Sequence, residues 1–231
     1  YRIHETPDSE KINRFNEYAK SLGVDVKLNA ADVKPLEIQQ MLKKVADNEN
    51  KFVINKVCLR SMKKAKYTPD CMGHFGLALK YYCHFTSPIR RYPDLAIHRI
   101  LTDVVNGVPK DKIKKKYDKF AKAAAKQSSD TEIQAMQIER DATDIYVAEY
   151  MSKHIGEEFE GTVSSVTNFG VYVELENTAE GLVHISLIDM VNPILQEGFR
   201  LYCPVTGKRY TIGDTVKVKL IGCDIMKGNI D

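Results

Sequence analysis

Arg90 and Arg91 stand side by side after Ser87-Pro-Ile and immediately before Tyr92-Pro93. A Ser-Pro pair turns the chain, and Pro93 suits the first turn of a helix, so both guanidiniums fall at a helix N-terminus. Free amide donors, the helix dipole and the planar fork of arginine together make an anion site matched to phosphate. Adjacent residues cannot face the same way, so one arginine should meet the phosphate and the other pair with structure. Asp94 and His98, four apart on the same helix, are donors of the metal-binding type; capping and local hydrogen bonds are the commoner use of such a pair.

A second group lies near the C-terminus, in Glu160-Gly-Thr-Val, Asn168-Phe-Gly-Val-Tyr-Val and Glu180-Gly-Leu-Val-His-Ile-Ser. Phe169, Tyr172 and His184 can gather on one face of a small β domain and offer flat surfaces to single-stranded bases. Each such stack contributes roughly 1–3 kcal/mol and hardly depends on base identity. Core packing is the competing use of Phe169 and Tyr172. These three segments resemble the ribosomal-protein type of RNA-binding OB fold.

The elements that would position these groups follow from periodicity. Helices are predicted over Ser9–Leu22, Pro35–Asp47, Lys51–Ala65, a stretch opening at Pro93, Lys110–Lys126 and Thr131–His154. Phe75–Phe85 is rich in aromatics and reads as extended. After Gly156 the period changes to two, with strands over Phe159–Val166, Val171–Leu175, Gly181–Ile185, Leu201–Pro204 and Thr215–Ile221. Gly161 and Asn168-Phe-Gly serve as bulge or turn punctuation. Five short strands in about 75 residues suggest a small closed antiparallel barrel. The fold class expected is α+β: a helix-rich part over residues 1–155, then an all-β barrel over 156–231.

Charge is uneven along the chain. Of the 34 Lys and Arg, 18 fall in residues 51–128 against 5 acidic residues, while residues 129–231 carry 8 basic and 17 acidic. A block this basic implies a polyanion partner, through phosphate contacts that release counterions. For the lysines between Lys110 and Lys126 a solvated helix face is the favoured reading. The acidic barrel should assist binding rather than drive it. No apolar run approaches the roughly 20 residues of a membrane span, and five cysteines without a C-x-x-C pair read as free, buried thiols in a reducing cytoplasm.

The stretch Gly73-His-Phe-Gly-Leu-Ala-Leu, followed by His84-Phe-Thr-Ser-Pro-Ile-Arg-Arg-Tyr-Pro-Asp-Leu-Ala-Ile-His-Arg, resembles the catalytic domain of the ribonuclease II and ribonuclease R family, processive 3′→5′ exoribonucleases. Tyr1-Arg-Ile-His-Glu, Leu59-Arg-Ser-Met-Lys and Ile138-Glu-Arg-Asp-Ala-Thr-Asp extend the likeness over essentially the whole chain. The resemblance implies hydrolysis of single-stranded RNA to nucleoside 5′-monophosphates by a cytoplasmic, monomeric enzyme. It implies Arg90 at the scissile phosphate, stabilising charge that builds in the transition state. It also implies Glu139 at the terminal nucleotide, where a carboxylate can accept from ribose hydroxyls; pairing with Arg140 or a lysine is the alternative use of Glu139. Arg91 matches the motif as a further RNA contact. The family's Mg2+ or Mn2+ needs a cluster of closely spaced aspartates. Asp8, Asp25, Asp32, Asp47 and Asp70 are isolated in sequence, so no metal ligand is expected in this chain. The start on Tyr1 and the stop at Asp231 read as a C-terminal half of the catalytic domain plus an incomplete barrel, inactive alone; a stand-alone RNA-binding module is the alternative.

Overall fold

Contacts along the chain concentrate in two units, residues 1–135 and 136–231. The structure is a computed structural model and describes all residues except 49, 189, 191 and 197. In the first unit, β1 (Arg2–Ile3) pairs antiparallel with β2 (Lys66–Tyr67), setting Arg2 opposite Tyr67. Asp8 caps α1 (Ser9–Ser21) by accepting the Glu10 amide through its side chain. Ile12, Phe15, Tyr18 and Ala19 line one face of α1 and are fully buried. That face packs with residues of α2 (Pro35–Lys44) and α3 (Lys51–Ser61), where Met41, Ile54 and Cys58 complete the cluster. Both helices stop short of their periodic pattern; Met62 turns extended at the end of α3.

Phe75–Phe85 is not a strand. It forms one 3-10 turn, Phe75–Leu77, and then an irregular loop in which Ala78 takes a left-handed φ of 55°. The rings of this segment turn to separate partners instead of following a ladder: Phe75 meets His4, Tyr82 meets His74 and His84, and Phe85 stacks on His98. Next come α4 (Tyr92–Val105) and α5 (Lys110–Met151). The apolar stripe expected on α4 is only partly covered: Ile97 and Ile100 are half-buried, whereas Leu101, Val104 and Val105 are exposed.

Two helices were expected where α5 runs unbroken. The Gln127-Ser-Ser-Asp segment holds neither proline nor glycine, and the hydroxyls of Ser129 and of nearby Thr131 bond back along the helix. Ser129 Oγ donates to the Ala125 carbonyl at 3.0 Å, and Thr131 Oγ1 to that of Gln127 at 2.9 Å.

The second unit continues from α5 through a 3-10 turn, Ser152–His154, into a curled sheet. Its strands are β3 (Glu158–Thr167), β4 (Gly170–Leu175) and β5 (Glu180–His184). A separate three-stranded sheet follows, β6 (Ile194–Gln196), β7 (Arg200–Tyr202) and β8 (Arg209–Thr211). Then β9 (Thr215–Lys219) returns beside β3, giving the order β5-β4-β3-β9, and β10 (Cys223–Asp224) pairs with β11 (Asn229–Ile230). The Leu201 strand, expected within the barrel, belongs to the three-stranded sheet, where Leu201 is fully buried. The bulge of β3 lies at Ser164 rather than Gly161, between the pairs Val163–Val173 and Ser165–Tyr172. Ser164 Oγ donates to the Glu180 carboxylate, so the extra residue keeps a partner.

All five cysteines are free, but Cys71 and Cys83 are exposed rather than buried. Burial pushes the Cys58 thiol up to about 11, which keeps it protonated and inert. Among the described residues, no helix is long and apolar enough to cross a membrane.

Candidate nucleic-acid interface

The turn ahead of α4 treats its two arginines differently. Ser87 accepts through its carbonyl from the amides of Arg90, at 3.3 Å, and Arg91, at 3.0 Å, closing the turn that Pro88 begins. Arg91 sends its guanidinium to Asp94, Nη2 to Oδ2 at 2.9 Å, and the same oxygen accepts the Ser87 amide at 2.8 Å. Asp94 is wholly buried. Taking one partner from a buried pair of this kind costs roughly 3–5 kcal/mol, because the remaining charge is left in a dry site. Arg90 projects to the surface and makes no ion pair with any described residue. Half of the division expected of adjacent arginines is thus seen: Arg91 is tied to structure, while Arg90 stays exposed.

Asp94 and His98 do not form a metal pair. Asp94 closes the arginine turn, and His98 Nε2 lies 2.9 Å from the Phe85 carbonyl with the two rings stacked at 4.4 Å. One turn of α4 thus anchors the loop at Phe85 and again at Ser87.

Behind the loop runs a ladder of rings that sequence reasoning did not assemble. His4, His74, Tyr82, His84 and Tyr67 follow one another in edge-to-face contacts of 5.1–5.7 Å. The Arg2 guanidinium sits 4.6 Å from the Tyr67 ring centre and pairs with Glu132 at 2.6 Å. Desolvation first, then the Arg91 and Arg2 charges, hold the His84 pKa below its usual range, and desolvation raises that of Tyr67. His84 Nδ1 and the Tyr67 hydroxyl are hydrogen-bonded at 2.8 Å. Desolvation, with His4 and Arg2 nearby, also lowers the His74 pKa. The visible signal was the density of rings between residues 74 and 85; the partners at Arg2 and Tyr67 are remote in sequence.

In the second unit the register decides which way the aromatics point. Gly170 pairs with His184 and Tyr172 with Leu182, so His184 and Tyr172 share one face of the sheet. Val171 and Val173, one step out of phase, are buried on the other. Phe169, in the turn before β4, is 48 % exposed and meets Tyr172 edge to face, with ring centres 6.3 Å apart. Both rings thus stand outside the valine core. His184 is held by its neighbour, Nδ1 lying 2.8 Å from Ser186 Oγ. Gly170 is required here, because a Cβ at this position would strike the Val183 carbonyl.

Glu139 is exposed on α5, and neither it nor Arg140 forms an ion pair with a described residue. The pairing alternative for Glu139 is not realised. Among the described residues, no three His, Cys, Asp or Glu side chains gather so as to hold a metal ion. The divalent metal implied by the resemblance finds no ligand set in these residues, and no step is derived through it.

The loop thus presents an exposed arginine, and the sheet presents an edge-to-face pair of rings outside its valine core. The RNB domain profile matches residues 1–107, and the S1 RNA binding domain profile matches residues 152–231. By sequence the chain is similar to proteins named ribonuclease R. It is 39 % identical over 233 residues to ribonuclease R 1 of Lactococcus lactis subsp. lactis and 38 % identical over 234 to ribonuclease R of Thermotoga maritima. Both matches cover all of this chain, but 28 % and 33 % of those proteins, so the chain spans about a third of their length. Among solved structures, ribonuclease R of Mycoplasma genitalium in complex with ribose-methylated single-stranded RNA superposes with a TM-score of 0.91 at 30 % identity, covering all of this chain and 36 % of that one.

Proposed function

We propose that this chain is the RNA-holding part of a 3′→5′ exoribonuclease that hydrolyses single-stranded RNA processively to nucleoside 5′-monophosphates. The observation that carries the proposal is the arginine turn: Arg91 is consumed by buried Asp94, while Arg90 is exposed, fixed at its base and unpaired with any carboxylate of the described residues. A guanidinium held this way can accept the growing negative charge of a phosphoryl transition state without first breaking an ion pair. Arg91 supports the phosphate site from behind, and Glu139 meets ribose hydroxyls of the terminal nucleotide. Phe169, Tyr172 and His184 hold incoming bases.

The division of labour falls at Ile155–Gly156, between catalytic-domain residues and the RNA-binding barrel. Hydrolysis uses Mg2+ or Mn2+, for which the described residues provide no site, so this chain alone binds RNA without cutting it. The whole enzyme works as a cytoplasmic monomer. In the whole protein, Arg90→Ala should slow single-turnover hydrolysis by about 3 kcal/mol or more, on the order of 150-fold, with a much smaller loss of RNA affinity. Equal losses in rate and affinity would show that Arg90 merely holds substrate.

A further inference from the structure

We infer that Asp94 is a positioning residue, whose carboxylate sets the aim of Arg90 at the phosphate; the inference rests on the reading of Arg90 given above. The geometry is a clasp. A single oxygen, Oδ2, binds the start of the turn through the Ser87 amide at 2.8 Å and its end through the Arg91 guanidinium at 2.9 Å. Arg90 is the last residue inside the loop so closed, and its own amide bonds to the Ser87 carbonyl. No other side chain among the described residues touches both ends of the turn.

The clasp is poorly built for stability. Asp94 Oδ1 and Arg91 Nε are both buried and have no hydrogen-bond partner among the described residues. Unsatisfied buried polar atoms are rare in folded proteins, and a buried ion pair is seldom more stabilising than apolar packing. A carboxylate capping a helix from the surface would carry neither cost. What the buried arrangement does provide is a fixed backbone on both sides of an exposed arginine. Side chains that must meet a charge at a defined point need that kind of support from behind. His98 adds a second anchor one helical turn on, through the Phe85 carbonyl.

The test is a double-variant cycle on the 231-residue chain, read as single-stranded RNA affinity across a salt series. Arg90→Ala should weaken binding about tenfold and reduce the slope of log affinity against log salt by about 0.7, the loss of one phosphate contact on a single strand. Asp94→Asn should give the same slope change, and should cost nothing more when Arg90 is already alanine. Combined with Phe169→Ala, which shares no partner with it, its effect should add in full. Arg91→Gln releases one end of the clasp and should give a smaller loss, again absent in the Arg90→Ala background; it decides the matter if Asp94→Asn does not fold. An equal loss from Asp94→Asn in both backgrounds, or no loss at all, overturns the inference and leaves Arg90 in place. An Arg90→Ala chain with unchanged affinity and slope overturns the reading of Arg90, and the inference with it.

Discussion

Removing the two rings of the β domain tests whether they hold RNA or merely finish the core. In the double variant Phe169→Ala, Tyr172→Ala the fold should survive, because Val163, Val171 and Val173 fill the opposite face and are almost wholly buried. Each ring that stacks a base is worth roughly 1–3 kcal/mol. The two values will not simply add: the rings meet at 84° with centres 6.3 Å apart, so one base resting on Phe169 also touches Tyr172. We therefore expect a joint loss of about 2–4 kcal/mol, on the order of 30- to 900-fold in Kd. The assay is fluorescence anisotropy with a labelled oligouridylate, at one fixed salt concentration, beside circular dichroism and a thermal melt. Unchanged affinity in a variant with intact dichroism would refute the stacking role, and Gly170 would then serve the sheet alone.

The 231-residue chain should bind single-stranded RNA weakly, lose that binding steeply as salt rises, and leave a 5′-labelled oligoribonucleotide uncut with or without Mg2+; a ladder shortening from the 3′ end would mean that the described residues do assemble a metal site. Glu139→Ala should weaken RNA binding by about 1–2 kcal/mol while leaving DNA binding level or slightly tighter, since a carboxylate that accepts from the 2′-hydroxyl repels phosphate in both. A constant RNA-to-DNA ratio would remove Glu139 from the sugar. Burial holds His74 and His84 below the usual histidine range, so the folded state binds fewer protons than the unfolded chain. Their contribution to stability is present above about pH 6.5 and drains away as the pH falls below it, so the melting temperature should drop between about pH 6.5 and 5. His84→Asn should flatten that drop, and an unchanged profile would return the ring ladder to simple packing.

The parts of the site that could be read from sequence were those built from neighbours. Ser87-Pro88 before Pro93 announced the turn and the helix, and adjacency alone required Arg90 and Arg91 to part. The alternation of Val171, Tyr172 and Val173 separated a core face from an open one. What escaped was built across distance: Arg2 and Tyr67 behind His84, and Glu132 beneath Arg2. No local period marks such a contact, because each residue follows the rules of its own segment. Two segment readings failed for a related reason. Ring density from Phe75 to Phe85 resembled a strand, but these rings pack on separate partners, among them His4, His74 and His98, and such packing does not require alternation. Ser128 and Ser129 resembled a break between helices, but serine ends a helix only where its hydroxyl competes for a local amide. Here the Ser129 hydroxyl bonds to a carbonyl one turn back and lets the helix pass.

The same contrast explains why Asp94 could be weighed as a metal ligand at all, beside the commoner use in capping and local hydrogen bonds. Sequence gives the spacing of Asp94 and His98 but not the sign of what faces them. A carboxylate and an imidazole four apart on a helix suit a cation, and in the fold Asp94 does meet one: the guanidinium of Arg91, three residues back and turned inward. The charge that Asp94 would have offered to a metal is spent inside the chain. That leaves Arg90 at the surface without an ion pair among the described residues, and a fixed positive charge of this kind suits the RNA phosphate contact proposed for it. The buried pair and the open arginine are two consequences of one placement: had Asp94 faced outward by a turn, it would have neutralised the arginine that the loop now presents.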